Sequence, residues 1–436
     1  QILQSGISWH YNWGTSPKEC IADICGPGKA IEFVPMAWNA SGISSVKAYV
    51  SSNPGVRYIL GFNEPNFRSQ ANMTPAAAAS QWKNLEAIAS EYGVELVAPA
   101  LNYSGEAISD GNTYTPEQWM DAFIAAYKSS NDGREPRMDY LALHSYMNDH
   151  SAMTGFVESF AKKYGKKVWL TEFCAWEGNV TEAQQLKSMQ QKLDDLEQSP
   201  YVFRYAWFKA TGSNSAPFFR LLNGNALTDM GRMYIGHSSY DTEKYYSPDE
   251  QIKAKDYVDA GNVALAFSTD ADKYAAPLQV TSFDVGSSLT YNIDVPADDT
   301  YTLVLRMSNR AYLKPLLVGV YLDGSETAVA MQQLSVTGKT ASKDVWATEG
   351  FALQLPAGKH RMELRSEQST DCALQWLSFT RKAPTGTRSI ADADVKTHVS
   401  YYNLQGAMLS HASRGIMLRK TTFANGEVKV EKIRVR

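Results

Sequence analysis

What most constrains the fold is an alternation of texture along the chain. Between residue 6 and about residue 240, short apolar runs of strand length alternate with longer stretches of helical periodicity. A helix that carries the chain back across a sheet makes successive strands point the same way, so this order predicts a parallel sheet with crossover helices. The strand candidates are Gly6 to Trp13, Glu32 to Trp38, Tyr58 to Phe62, Glu95 to Leu101, Tyr140 to Tyr146, Val168 to Phe173 and Phe203 to Phe208. An eighth near Phe218 to Leu222 would close a barrel. Helix starts are marked by Thr74-Pro75, by Thr115-Pro116 with Gln118, and by Thr181 with Gln184. A threonine followed three residues later by glutamine lets each side chain satisfy a backbone N–H beside the other. Leu186, Met189, Leu193 and Leu196 give the last of these helices one apolar face.

Beyond about residue 245 the period becomes two: Leu289, Tyr291, Ile293, Val295, then Tyr301, Leu303, Leu305, Met307, then Phe351, Leu353, Leu355. Turn clusters such as Pro296-Ala297-Asp298-Asp299 and Pro356-Ala357-Gly358 separate the runs, which predicts a β-sandwich. Lys382 to Thr387 reads as a linker, and Asn425-Gly426 between two β-prone runs is a hairpin signal. The expected organisation is therefore a TIM-type (β/α)8 barrel over 1–240, an all-β jelly-roll sandwich over 246–382 and a small β-rich domain over 395–436. A length of 436 residues accommodates these cores.

Composition excludes several classes. With 44% hydrophobic and 20% charged residues the chain is that of a globular protein, and a net charge of -4 supplies no basic field for nucleic acid. No apolar stretch approaches the roughly 18 residues that would span a bilayer. The chain opens at Gln1 with neither an initiator methionine nor a signal-type segment, so it reads as a mature or trimmed protein. Cys20, Cys25, Cys174 and Cys372 are too few for a disulfide framework and lack the pairing with histidine that a metal site needs. Cys20 and Cys25 could close a small loop; free buried thiols are the alternative.

Two glutamates carry the chemistry. Glu64, in Gly61-Phe62-Asn63-Glu64-Pro65-Asn66, follows the apolar run Tyr58-Ile59-Leu60, and Glu172 follows Val168-Trp169-Leu170-Thr171. Side chains at the carboxyl ends of barrel strands face the active site. Two carboxyl groups at such ends, one protonated and one ionised, are what glycosidic bond cleavage requires. Asn63 could hold a sugar hydroxyl without adding charge beside the pair. His144 and Tyr146, in Leu143-His144-Ser145-Tyr146, end another strand and could hydrogen-bond a carboxylate or a sugar, with a satisfied core histidine as the alternative. Trp9, Trp13, Trp38, Trp176 and Trp207 lie at or near strand ends, where indoles either stack on sugar rings or fill the core. Two or three of the five are expected to line a cleft. Asn102 and Tyr103 are weaker candidates of the same kind.

Across residues 5 to 235 these motifs, with Gly6 to Trp13 and Phe33-Val34-Pro35-Met36-Ala37-Trp38, resemble glycoside hydrolase family 128, mainly endo-acting β-1,3-glucanases. The resemblance implies a retaining endo-β-1,3-glucanase with Glu64 as acid/base and Glu172 as nucleophile, acting on laminarin- or curdlan-type glucan without cofactor or metal. It also implies that the two groups follow the fourth and seventh strands, whereas the sequence places them after the third and sixth; one early strand would then be missing. Residues 246–382 resemble a family 6 carbohydrate-binding module through Ile252 to Tyr257, Leu355 to His360 and Gln375 to Phe379. Such modules carry acidic residues where this chain has Lys253, Lys255 and Gln375, so no calcium is expected at that place. Trp346 is the candidate for stacking on a sugar there. The tail from Val399 is similar to the type IX secretion sorting domain of Bacteroidetes, which implies secretion or attachment to the outer surface of a bacterial cell, with a small hairpin packed on the sandwich as the alternative; a monomer is expected.

Overall fold

The computed structural model describes residues 7–211, 218–271, 276–309, 316–334, 345–368, 372–381, 396–403, 408–409, 415–423 and 428–435. The Lys382 to Thr387 linker and the Asn425-Gly426 turn lie outside them. The chain divides into two compact units, Gln1–Gly236 and His237–Arg436.

In the first unit, β1 (Trp9–His10) pairs in parallel with β2 (Glu32–Phe33). Strands β3 (Tyr58–Leu60), β4 (Glu95–Leu101), β5 (Tyr140–Ser145), β6 (Val168–Phe173) and β7 (Val202–Trp207) form one parallel sheet in chain order. A parallel bridge between Met36 and Leu60 joins the two sets. The result is a half-barrel of parallel strands, consistent with a TIM-like domain. The expected strand from Phe218 to Leu222 forms differently. Leu222–Asn223 (β8) turns back antiparallel onto Ala226–Leu227 (β9). Gly224, at φ 59°, supplies the left-handed residue of that turn. Among the described residues no ladder joins β7 to β1; side chains meet there instead. Trp9 Nε1 donates to the Tyr205 carbonyl at 3.1 Å, and Arg204 reaches Glu32 at 2.7 Å beneath the rings of Tyr58 and Trp169. No described strand other than β1 and β2 precedes β3, so Glu64 does follow the third strand and Glu172 does end the sixth.

Helices α1 (Ile43–Ser52), α2 (Pro75–Tyr92), α3 (Pro116–Ser129), α4 (His150–Tyr164), α5 (Glu182–Gln198) and α6 (Asp229–Gly236) connect and follow these strands. The start signals act as the sequence implies. Thr74 Oγ1 accepts from Ala77 N at 3.1 Å, and Thr115 with Gln118 and Thr181 with Gln184 form reciprocal capping boxes. The interior is filled by Trp9, Tyr11, Met36, Tyr58, Leu60 and Trp169 among others, so below its rim the half-barrel is packed with side chains.

In the second unit, antiparallel ladders form a six-stranded sheet that includes Asp299–Asn309, Trp346–Leu355 and Cys372–Thr380, and a five-stranded sheet that includes Ser288–Val295, Gly358–Gln368 and Leu316–Leu322. Residues 246–258 hydrogen-bond to both: Tyr246 N to Asn292 O, and Ala254 N to Gln375 O. This arrangement is compatible with a β-sandwich. Leu289, Tyr291, Ile293 and Val295 are buried, as their alternation requires. A separate four-stranded antiparallel sheet comprises Lys396–Tyr402, Met408–Leu409, Gly415–Phe423 and Val428–Val435. All four cysteines are free, so the Cys20–Cys25 loop is not closed.

Candidate active site

The carboxyl ends of β3 to β7 open into a cavity of about 840 Å³. Glu64 reaches it from the loop after β3, and Glu172 from the end of β6. The Glu64 backbone is anchored on its neighbour strand, with its N–H donating to the Ala100 carbonyl at 2.9 Å. Its φ of 41° is left-handed, and Trp13 (58°) and Lys209 (46°), also on the cavity wall, share that region. Left-handed backbone costs an ordinary residue roughly 1–2 kcal/mol, so the fold holds these three against their preference.

His144 ties the two carboxyl groups together. The β5–β6 register shifts between Leu143 and His144, which brings His144 opposite Glu172. Its Nδ1 lies 2.8 Å from Glu64 Oε1 and 3.4 Å from Glu172 Oε2, and the ring is fully buried. Burial pulls the imidazole pKa down, but the charge of Glu172 and the hydrogen bond and charge of Glu64 outweigh it, leaving a net rise.

The environments of the two glutamates differ. Glu172 accepts from Trp13 Nε1 at 2.7 Å and from the Tyr146 hydroxyl, while the Tyr11 hydroxyl, 3.4 Å away, donates to the Thr171 carbonyl at 2.9 Å. Burial, followed by the charge of Glu172, raises the pKa of both phenols, so each keeps its proton and acts as a donor. Glu64 accepts from Asn102 Nδ2 at 3.3 Å in addition to its contact with His144. One glutamate is thus held by the N–H of Trp13 and the O–H of Tyr146, and the other by an amide and a shared imidazole.

Of the twelve residues singled out as site candidates, ten stand at this centre, Trp13 and Tyr103 among them. Glu64, Glu172, Asn63, Tyr146, Trp38, Asn102 and Trp176 line the cavity, and His144 lies buried under the carboxyl pair. Asn63 donates to Gln70 Oε1 at 3.3 Å, and its buried carbonyl oxygen has no hydrogen-bond partner among the described residues. Trp176 is stacked on Phe219 and meets Tyr146 and Phe208 edge-on.

Trp9 and Trp207 belong elsewhere. Trp9, Tyr11 and Trp13 project onto one face at successive depths; Trp9 is the deepest, stacked on Tyr11 and bonded to the Tyr205 carbonyl. Trp207 points away from the cavity, with its Nε1 on the Phe219 carbonyl at 2.6 Å and its ring against Tyr234, while its neighbour Phe208 takes the lining position. Of the five indoles, Trp13, Trp38 and Trp176 line the cavity. Gln70, Glu106, Glu177 and Lys209 also line it, although nothing local in the sequence marks them.

Glu64, His144 and Glu172 each offer one donor atom within 4.8 Å of the others, a spacing a cation could use. The N–H and O–H groups already aimed at Glu172 are those that steady a carboxylate rather than leave its lone pairs to a metal. In the second unit Gln375 is likewise committed. Its Oε1 accepts from Ala276 N at 3.1 Å and its amide donates to Ser268, while Lys255 pairs with Asp256. Trp346 is half-buried, with its indole N–H on Thr269 Oγ1.

Residues 253–381 match the carbohydrate binding module (family 6). Among curated proteins, Alkali-sensitive linkage protein 1 of Schizosaccharomyces pombe is 28% identical over 251 residues, which span 54% of this chain and 41% of that protein's length. Among solved structures, a GH128 (subgroup II) endo-beta-1,3-glucanase from Pseudomonas viridiflava is 37% identical over 54% of this chain and 91% of its own, with a TM-score of 0.48. A second, from Sorangium cellulosum, is 30% identical over the same shares, with a TM-score of 0.46. Residues 1–234 match the glycosyl hydrolase catalytic core, and with more than half of its length in that match the chain belongs to this family of glycoside hydrolases.

Proposed function

We propose that the protein is a retaining endo-β-1,3-glucanase that cleaves laminarin- or curdlan-type glucan at the Glu64–Glu172 pair. The observation that carries the mechanism is the closeness of two buried carboxyl groups, with ligand atoms within 4.8 Å of each other around one histidine. Retaining hydrolysis uses carboxyl groups about 5–5.5 Å apart, whereas inversion needs room for a water molecule between the nucleophile and the sugar. Glu64 protonates the glycosidic oxygen as Glu172 attacks the anomeric carbon, giving a covalent glycosyl-enzyme and a released sugar end. Glu64, now ionised, takes a proton from water, which attacks the same carbon and returns Glu172 as a carboxylate. Trp13 and Tyr146 hold the nucleophile, and Trp38 and Trp176 offer faces for sugar rings.

The β-1,3 linkage rests on the five motifs shared with family 128, and it is the activity named for the Pseudomonas and Sorangium enzymes. The same proposal includes closure of the half-barrel into a (β/α)8 barrel, glycan binding by residues 246–382, and export of a monomer guided by residues 395–436. In a reducing-sugar assay on laminarin, Glu172→Ala and Glu64→Gln should each lower turnover by orders of magnitude while folding stays intact. Near-normal activity in either variant refutes the assignment.

A further inference from the structure

Helix α5 carries three buried polar side chains that the mechanism above does not use. Gln185, Ser188 and Lys192, at spacings of three and four, share one face. Each bonds to the main chain of a loop that holds a site residue. Gln185 clamps Ala175 from both sides: Ala175 N donates to its Oε1 and its Nε2 donates to Ala175 O, each at 2.9 Å. Ser188 Oγ donates to the Asn148 carbonyl at 3.0 Å, and Lys192 Nζ to the Met147 carbonyl at 2.5 Å. Ala175 lies between Glu172 and Trp176, and Met147 directly follows Tyr146, whose hydroxyl reaches Glu172.

A fully buried lysine costs several kcal/mol of desolvation unless its donors are matched. An aliphatic residue would fill the same space without that penalty. Burial pulls the Lys192 ammonium down to about 8, against the countering pull of Cys174, Glu177 and Asp149. A group retained at such cost, and bonded to the carbonyl beside a donor to Glu172, acts on the geometry of that donor. We propose that Lys192, backed by Ser188 and Gln185, is a positioning residue that sets the Tyr146 hydroxyl on Glu172 by fixing the main chain of both rim loops. This rests on the glycosidase reading of the site.

The test is a double-mutant cycle with purified full-length protein on laminarin. A misplacement of about 1 Å in a reacting group can cost a hundredfold, so Lys192→Met should lower kcat about 10- to 100-fold with KM within twofold. In a Tyr146→Phe background, where the positioned hydroxyl is gone, the same change should cost less than threefold. A Lys192→Met protein with wild-type kcat, or one whose full loss persists in the Tyr146→Phe background, overturns the proposal. Should Lys192→Met fail to fold, Ser188→Ala carries the cycle: a two- to fivefold drop in kcat that vanishes in Tyr146→Phe supports positioning, and no drop or an additive one refutes it. Glu64→Gln and Glu172→Ala assayed alongside separate the two failures. If they remain active, the glycosidase reading falls; if they are dead while Lys192→Met is normal, only the positioning role falls.

Discussion

Trp13→Phe tests the donors to Glu172. The substitution removes the Nε1–H that stands 2.7 Å from Glu172 Oε1 and keeps an aromatic ring between Tyr11 and Phe208. A hydrogen bond to a charged group contributes about 1.5–3 kcal/mol. In the second half of the reaction Glu172 is the leaving group, and a donor to its oxygen stabilises the charge that returns to it. With about half of the charge developed at the transition state, the loss is roughly 0.7–1.5 kcal/mol, or about 3- to 15-fold in the hydrolysis of the glycosyl-enzyme. Formation of that intermediate suffers less, because the anion held by the same donor is there the starting state. The variant should therefore accumulate covalent glycosyl-enzyme: kcat falls, KM falls with it, and intact-mass measurement of acid-quenched reactions on laminari-oligosaccharides finds a sugar adduct on the protein. Lower kcat with unchanged KM and no adduct, or wild-type kinetics in a variant of unchanged thermal stability, would refute the reasoning.

Gly61→Ala should destabilise the first unit by about 1–3 kcal/mol, because a Cβ at that position meets the Val97 carbonyl at 2.8 Å and the Trp82 ring at 2.9 Å. A urea titration would read this as a lower midpoint, and an unchanged midpoint would mean that the neighbouring strand yields. The raised pKa of His144 stabilises the folded state fully below its unfolded value near 6.5 and progressively less as pH rises through the folded value. Wild type should therefore lose its thermal-midpoint advantage over His144→Gln as pH rises from about 6.5, and an advantage that grows across that window contradicts the geometry. With Gln375 bonded to Ala276 and Ser268, and Lys255 paired with Asp256, neither a chelator nor added calcium should move the melting temperature by more than about a degree. A shift of several degrees would reveal a site built from other oxygens.

How much the sequence discloses depends on whether a residue's position follows from its own strand. Glu64 and Glu172 are legible because an apolar run ending in a carboxylate can deliver that group only to a rim. His144 and Tyr146 are legible for the same reason. Trp9 is not: residues 9, 11 and 13 share a face, and depth within a half-barrel depends on how far each strand rises, which one strand's pattern does not contain. Trp207 fails by a single residue, since large aromatics stand on both faces of the run 203–208 and its parity toward the cavity is hidden. The α5 sequence discloses an apolar face of Leu186, Met189, Leu193 and Leu196 and does not mark Gln185, Ser188 and Lys192. Their burial arises from loops that arrive from β5 and β6, which no helical periodicity records. The eighth strand is only partly legible: Leu222 makes one parallel bridge to Thr211, beyond β7, before the Asn223-Gly224 turn reverses the run after two paired residues.

The left-handed backbone at Trp13, Glu64 and Lys209 bears on how such a chain could change over generations. A side chain there is a standing expense, and glycine would relieve it at each place by removing the Cβ that opposes the turn. Drift under selection for folding alone would therefore erode the acid and the indole first, at the positions that supply a carboxyl group to the cavity and an N–H donor to Glu172. Glutamate at 64 and tryptophan at 13 thus sit where glycine would fold at less cost, so stability alone does not account for the side chains found there.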